Sequence, residues 1–146
     1  MKLLEGKVAL VVGGGQTPGE TIGNGRATAI QFAREGARVV VADRHLESAT
    51  ETVQLIEAEG FNALAAEVDI TQQSSIQALT RSAIDYARAH NGSLNILHNN
   101  VGVSLSGGDA PTEDITEAAF DGLVHTNLRG MVFTCQHVLP HMRAGG

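Results

Sequence analysis

The chain has 146 residues, 42% hydrophobic and 18% charged, a formal net charge of −6, 3% aromatics and no tryptophan. That composition excludes a disordered chain, leaves enough length to bury a core, and makes Val, Ile, Leu and Ala its material. The acidic balance without any Lys/Arg cluster argues against a nucleic-acid face, and the early apolar run Val8 to Val12 is too short for a membrane span or a signal segment.

Taken in chain order, the pattern predicts a first strand over Lys7–Val12, a short β-branched run that ends in Gly13-Gly14-Gly15. A Gly/Pro/Thr-rich loop follows to about Asn24. A helix is expected over Gly25–Glu35, with Ala29, Ile30 and Ala33 on one face and Gly36 placed to end it. Arg38–Ala42 reads as a second strand. Leu46–Glu59 reads as a helix with Leu46, Ala49, Val53 and Ile56 in one stripe, ended by Gly60. A third strand is predicted over Asn62–Glu67. A third helix is predicted over Gln73–His90, with Ile76, Leu79, Ala83 and Tyr86 in register and Asn91-Gly92 after it. Leu94–Asn99 is the fourth strand. A polar loop runs from Asn100 to about Asp114. A last helix is expected from near Thr116 to about Met142, with Asp114 and Glu117 as its cap and Pro140 bending or ending it. Cys135, the only cysteine, falls in that helix and reads as a small buried hydrophobe. With no internal disulfide possible, the expected setting is a reducing cytoplasm.

The order β-α-β-α-β-α-β-α calls for parallel strands with right-handed crossovers, a doubly wound parallel α/β sheet of one domain over residues 1–146. Such sheets bind ligands beyond the carboxyl ends of their strands.

The first such end carries the glycines. A helix that opens after Gly23-Asn24-Gly25 presents free N–H groups and partial positive charge, which attract phosphate. Glycines there let backbone approach a pyrophosphate without a Cβ in the way. A Walker-type loop fits worse, because Gly25-Arg26-Ala27 lacks the Gly-Lys-Ser/Thr sequence. Asp43, about twenty residues past the glycines, is placed to accept both ribose hydroxyls of an adenosine, which favours NAD over NADP. Arg44 beside it is the alternative, a holder of a 2′-phosphate. The bland alternative for Asp43 is a turn residue or a cap before Leu46.

At this point the chain resembles the short-chain dehydrogenase/reductase family, from Gly6-Lys7-Val8-Ala9-Leu10-Val11-Val12-Gly13 to the last helix. The family's Gly-x-x-x-Gly-x-Gly pattern is met at Gly19, Gly23 and Gly25. The strand-end glycine is Gly13, however, so the loop carries an insertion around Gln16–Thr21, and Gly13, Gly15 or Gly19 could each take the first role. Asn24 stands where the family has Ile. Val68-Asp69-Ile70 resembles the family's Asp after strand three, near the adenine. Asn99-Asn100-Val101-Gly102 resembles the Asn-Asn-Ala-Gly segment bordering the cofactor, with His98 where Val is usual. Asn127-Leu128-Arg129-Gly130 resembles the helix segment whose Asn orders a water in the family's proton relay. Structural alternatives exist for each: Asp69 as a cap for the helix after Thr71, Asn99 and Asn100 as turn formers, Asn127 as a solvent-facing residue, and His98 as a packed residue.

The resemblance implies a Rossmann-like fold and NAD as cofactor, with NADP possible, held by Gly13, Gly15, Gly23, Asn24, Gly25, Asp43, Arg44, Asp69, Ile70, Asn99, Val101 and Gly102. It implies alcohol/carbonyl hydride transfer, a relay role for Asn127, and pairing of the last helix with a second subunit. No metal set is expected. The family's catalytic Ser, Tyr and Lys find no match. The only tyrosine is Tyr86, with His90 four residues on, and the only lysines are Lys2 and Lys7. Ser104 and Ser106 precede the expected Ser by a whole helix and fit a substrate loop or plain loop solvation, and the Val103–Pro111 loop is the one segment expected to touch substrate.

The expected picture is therefore the cofactor-binding half of an oxidoreductase, truncated after the fourth strand and its helix and inactive alone. The alternative is a catalytically silent nucleotide-binding or partner-binding module. The fourth strand should then be an open edge with Leu94, Ile96 and Leu97 uncovered on one side, and the isolated chain marginally stable or self-associating.

Overall fold

The computed structural model describes residues 2–104 and 110–145. Four strands and their helices alternate: β1 (Val8–Val12), α1 (Asn24–Arg34), β2 (Arg38–Asp43), α2 (Leu46–Ala58), β3 (Ala63–Glu67), α3 (Gln73–Ala89), β4 (Leu94–Asn99), then α4 (Glu117–Val124), a π-helical turn (His125–Gly130) and α5 (Met131–Ala144). Every strand pair is parallel and the order is β3-β2-β1-β4. The chain therefore crosses from one flank of β1 to the other after β3, which makes the β1/β4 boundary the topological switch point of a doubly wound, Rossmann-like sheet.

β1 is buried along its whole length. Its alternating side chains divide the core into two layers. Val8, Leu10 and Val12 face α3 and α5 through Ile76, Leu79, Ala83 and Val138. Ala9 and Val11 face α1 and α2 through Ala29, Ala33, Val53 and Ile56. Removing that much apolar surface from water on both faces is what holds a sheet of short β-branched strands in place. At the β1–β4 pairing the register shifts between Val8 and Ala9, and the Asn95 side chain fills the gap by accepting a 3.0 Å bond from the Val8 amide.

Two expectations about the last third are corrected. The final helix is not one uniform rod: its middle widens into the π turn at His125–Gly130, and Thr116 caps it by accepting from the Ala119 amide at 3.2 Å, so the Asp114/Glu117 cap does not form. Pro140 does not end the helix, which continues to Ala144. β4 is an edge strand among the described residues, yet Leu94 is buried and Ile96 and Leu97 pack partly buried against opposite layers. The exposure at that edge is backbone rather than side chain. Among the described residues no helix is long and apolar enough to cross a membrane.

Candidate functional site

The carboxyl ends of the strands open into a cleft of about 750 Å³. Its wall includes Gly13, Gly15, Gly23, Asn24, Gly25, Asp43, Arg44, Asp69, Ile70, Val101 and Gly102, so residues from four separate loops converge there.

The floor is built by contact too close for any side chain. A Cβ on Gly25 would run into the Gly13 carbonyl and would stand 2.7 Å from Asn100 Nδ2. Gly13 itself has φ +83°, a left-handed value, and a Cβ there would lie 3.0 Å from the Val101 amide. The Gly13 carbonyl also accepts from Asn100 Nδ2 at 3.1 Å, while the Asn100 amide donates to Val12 O at 2.8 Å. The β1 loop, the start of α1 and the β4 loop are thus locked at one point.

Asp43 sits at the tip of β2 and reaches across to the glycine loop. Its Oδ2 accepts from the Gly15 amide at 3.0 Å and its Oδ1 from the His45 amide at 3.1 Å. Each oxygen retains acceptor capacity beyond these bonds. Arg26, one residue past Gly25, donates through Nε to Thr52 Oγ1 at 2.9 Å and pairs with Glu51 at 2.9 Å. The fully buried Thr52 hydroxyl in turn donates to Gly14 O at 2.8 Å. This relay satisfies a buried carbonyl of the glycine loop and ties α1 to α2.

Asp69 Oδ1 accepts from the Thr71 amide at 2.9 Å and hydroxyl at 2.7 Å. The Thr71 hydroxyl bond, and then its amide bond, hold the Asp69 carboxyl below the usual range against partial desolvation, with smaller attraction from Arg44 and His125. The side chain makes a local turn and does not cap α3, whose N-cap is Gln72 without a side-chain bond.

Two residues singled out in the sequence face elsewhere. Strand alternation turns Asn99 toward α5, where Nδ2 donates to Met131 O and to Cys135 Sγ, each at 3.4 Å. The cleft asparagine is its neighbour Asn100. Asn127 Nδ2 donates to Val103 O at 2.8 Å while Oδ1 accepts from the Val103 amide at 2.9 Å. That side chain is occupied in tying the β4 loop to the π turn, and it is Thr126 that lines the cleft. His98 packs edge-on to Phe32 with ring centroids 6.2 Å apart. Ser104 lines the cleft; Ser106 lies outside the described residues, as does part of the Val103–Pro111 loop. Tyr86 lies off the cleft on α3, its hydroxyl buried and its pKa raised by burial.

Sequence reasoning missed Gln16, Ser48 and Thr52, which organise the glycine loop from behind. A long amide inside a glycine-rich loop was the only signal for the first; the two hydroxyls lie mid-helix and carry none.

Comparison with known proteins agrees with this geometry. The sequence model described as short chain dehydrogenase matches residues 7–146. A hydroxynaphthalene reductase-like protein of Metarhizium majus is 35% identical over 98% of this chain and 49% of its own length. Versicolorin reductase 1 of Aspergillus parasiticus is 34% identical over 98% of this chain and 50% of its own. Among solved structures, hydroxysteroid dehydrogenase from Escherichia coli superposes with a TM-score of 0.81 at 33% identity, over 98% of this chain and 55% of that one. A short chain dehydrogenase from Mycobacterium smegmatis gives 0.84 at 29%, over 99% and 55%. The chain spans about half the length of the relatives it matches. On the family match and the shared sheet together, the chain belongs to the short chain dehydrogenase family.

Proposed function

We propose that these residues form one NAD(P)-binding domain that holds a nicotinamide dinucleotide, NAD in preference to NADP, as the cofactor half of an alcohol/carbonyl oxidoreductase. The observation that carries this is the cradle at Gly25, where a Cβ would fill space the backbone already occupies and the helix start is left bare of side chains. Among the described residues no hydrogen bond takes the Asn24 or Gly25 amide. Two unpartnered N–H groups at the positive end of α1 suit a diphosphate. Gly13, Gly15 and Gly23 give the backbone approach to it. Asp43, anchored on two amides, offers acceptors to ribose hydroxyls and repels a 2′-phosphate. Asp69, Ile70 and Arg44 flank the adenine end, and Val101 and Gly102 the nicotinamide end.

The bound dinucleotide supplies or accepts a hydride. What this chain contributes is binding and orientation. Tyr86, with His90 four residues on and no lysine near it, is not arranged to move a proton to a substrate oxygen. The 146-residue chain is therefore expected to bind NADH without reducing carbonyl substrates. Fluorescence titration with NADH and NADPH tests this: saturable binding, tighter for NADH, is expected. A folded sample that binds neither would overturn the assignment, and tighter NADPH binding would reassign Arg44 as a phosphate holder. A silent partner-binding module is the second reading; it is favoured only by the exposed face described next. The single thiol of Cys135 is in keeping with a reducing, cytoplasmic setting.

Phe120, Val124, Leu128 and Val132 recur every four residues along α4, the π turn and α5, and all are exposed. A second copy of the chain is proposed to cover this face, as the family resemblance implies. Sedimentation is expected to give a concentration-dependent dimer that Leu128→Lys shifts to monomer; a monomer at all concentrations would contradict it.

A further inference from the structure

The loop between β1 and α1 is longer than a tight glycine turn needs, and one side chain organises it. The Gln16 amide donates to Ser48 Oγ at 2.6 Å, and the Ser48 hydroxyl donates back to Gln16 O at 3.2 Å, so the start of the loop is fixed on α2. From that anchor the Gln16 carboxamide turns inward. Its Nε2 donates to Thr17 O at 2.7 Å and Thr21 O at 2.9 Å, and its Oε1 accepts from the Gly23 amide at 2.7 Å. Only one orientation of the amide satisfies all three partners, since two of them offer carbonyls and the third an N–H. Residues 16–22 are thereby closed into a ring, with Thr17 and Pro18 on the cleft wall.

We propose that Gln16 is a positioning residue for the diphosphate: its carboxamide pre-closes the 16–22 loop and takes up the Gly23 amide, leaving the Asn24 and Gly25 amides to meet the phosphate oxygens. The proposal rests on the dinucleotide assignment above and adds to it a device outside the glycine pattern. A loop ordered before binding does not have to be ordered by the ligand, so the benefit appears as affinity for phosphate-bearing ligands alone. The adenosine end, held by Asp43 and Asp69, gains nothing from it.

The test compares ADP with adenosine, by calorimetry, on the full chain. Gln16→Ala is expected to weaken ADP by about tenfold, the equivalent of one hydrogen bond with its ordering, and to leave adenosine unchanged. Gln16→Glu keeps an acceptor for Gly23 but sets a carboxylate against two carbonyls and beside the phosphates, and is expected to weaken ADP at least as much. Amide exchange adds a reading independent of ligand: the Gly23 N–H is expected to lose protection in Gln16→Ala while the β1 amides keep theirs. ADP affinity equal to wild type, a parallel loss for ADP and adenosine, or unchanged Gly23 exchange would each overturn the role of Gln16. A wild-type chain that bound neither ligand would instead count against the dinucleotide site, and the proposal would fall with it.

Discussion

Gly25→Ala is expected to abolish dinucleotide binding and to lower stability by on the order of 3 kcal/mol, the upper end of overpacking penalties. The added methyl meets no flexible neighbour. It meets the Gly13 carbonyl, which is held by the backbone of β1 and by Asn100 Nδ2, itself 2.7 Å from the new atom. Relief requires α1 to retreat from β1, and that movement carries the Asn24 and Gly25 amides off the position proposed for the phosphates. Denaturant unfolding and NADH titration of the variant check both effects. Gly19→Ala is the control: its Cβ would meet only Thr17 O, 4.0 Å away, and both measurements should match the wild type. A Gly25→Ala protein that bound NADH normally would remove the cradle as the basis of the functional assignment.

The second large effect is expected at Asp43. Asp43→Asn keeps the shape but turns one acceptor into a donor, which must face either the Gly15 or the His45 amide, both N–H donors. The charge that favours ribose hydroxyls over a 2′-phosphate is lost at the same time. Charged hydrogen bonds contribute about 1.5–3 kcal/mol each, so NADH affinity should fall roughly ten- to a hundred-fold. NADPH affinity should fall less, and the preference between the two should narrow. Parallel titrations with both dinucleotides decide it. Equal losses for the two would show that Asp43 shapes the loop without selecting the sugar.

The sheet and its helices were legible because they depend on periodicity. The run Val8–Val12 and the stripe Ile76, Leu79, Ala83 announce burial by spacing alone. The glycine cradle was legible by its place between a strand and a helix. What escaped depends on direction rather than spacing. Asn99 and Asn100 are adjacent and chemically identical, and only the phase of β4 decides that the second faces the cleft. Asn127 was read through its neighbours, while its fate is set by Val103, 24 residues away. The Gln16 ring combines contacts one, five and seven residues along the chain with an anchor on α2, a pattern without a repeat to detect. The open edge at β4 was expected from strand count, but the helices cover its side chains.

The π turn at His125–Gly130 has an angular consequence for the long helix that contains it. One residue of α-helix advances the side-chain direction by about 100°, and a single wider turn absorbs about one extra residue. The far half is therefore phased about a third of a revolution differently from a straight continuation. Thr134 and Val138 point inward, while Leu128 and Val132 prolong the outward row begun at Phe120 and Val124. One rod thus serves two surfaces, each with its own rotational setting.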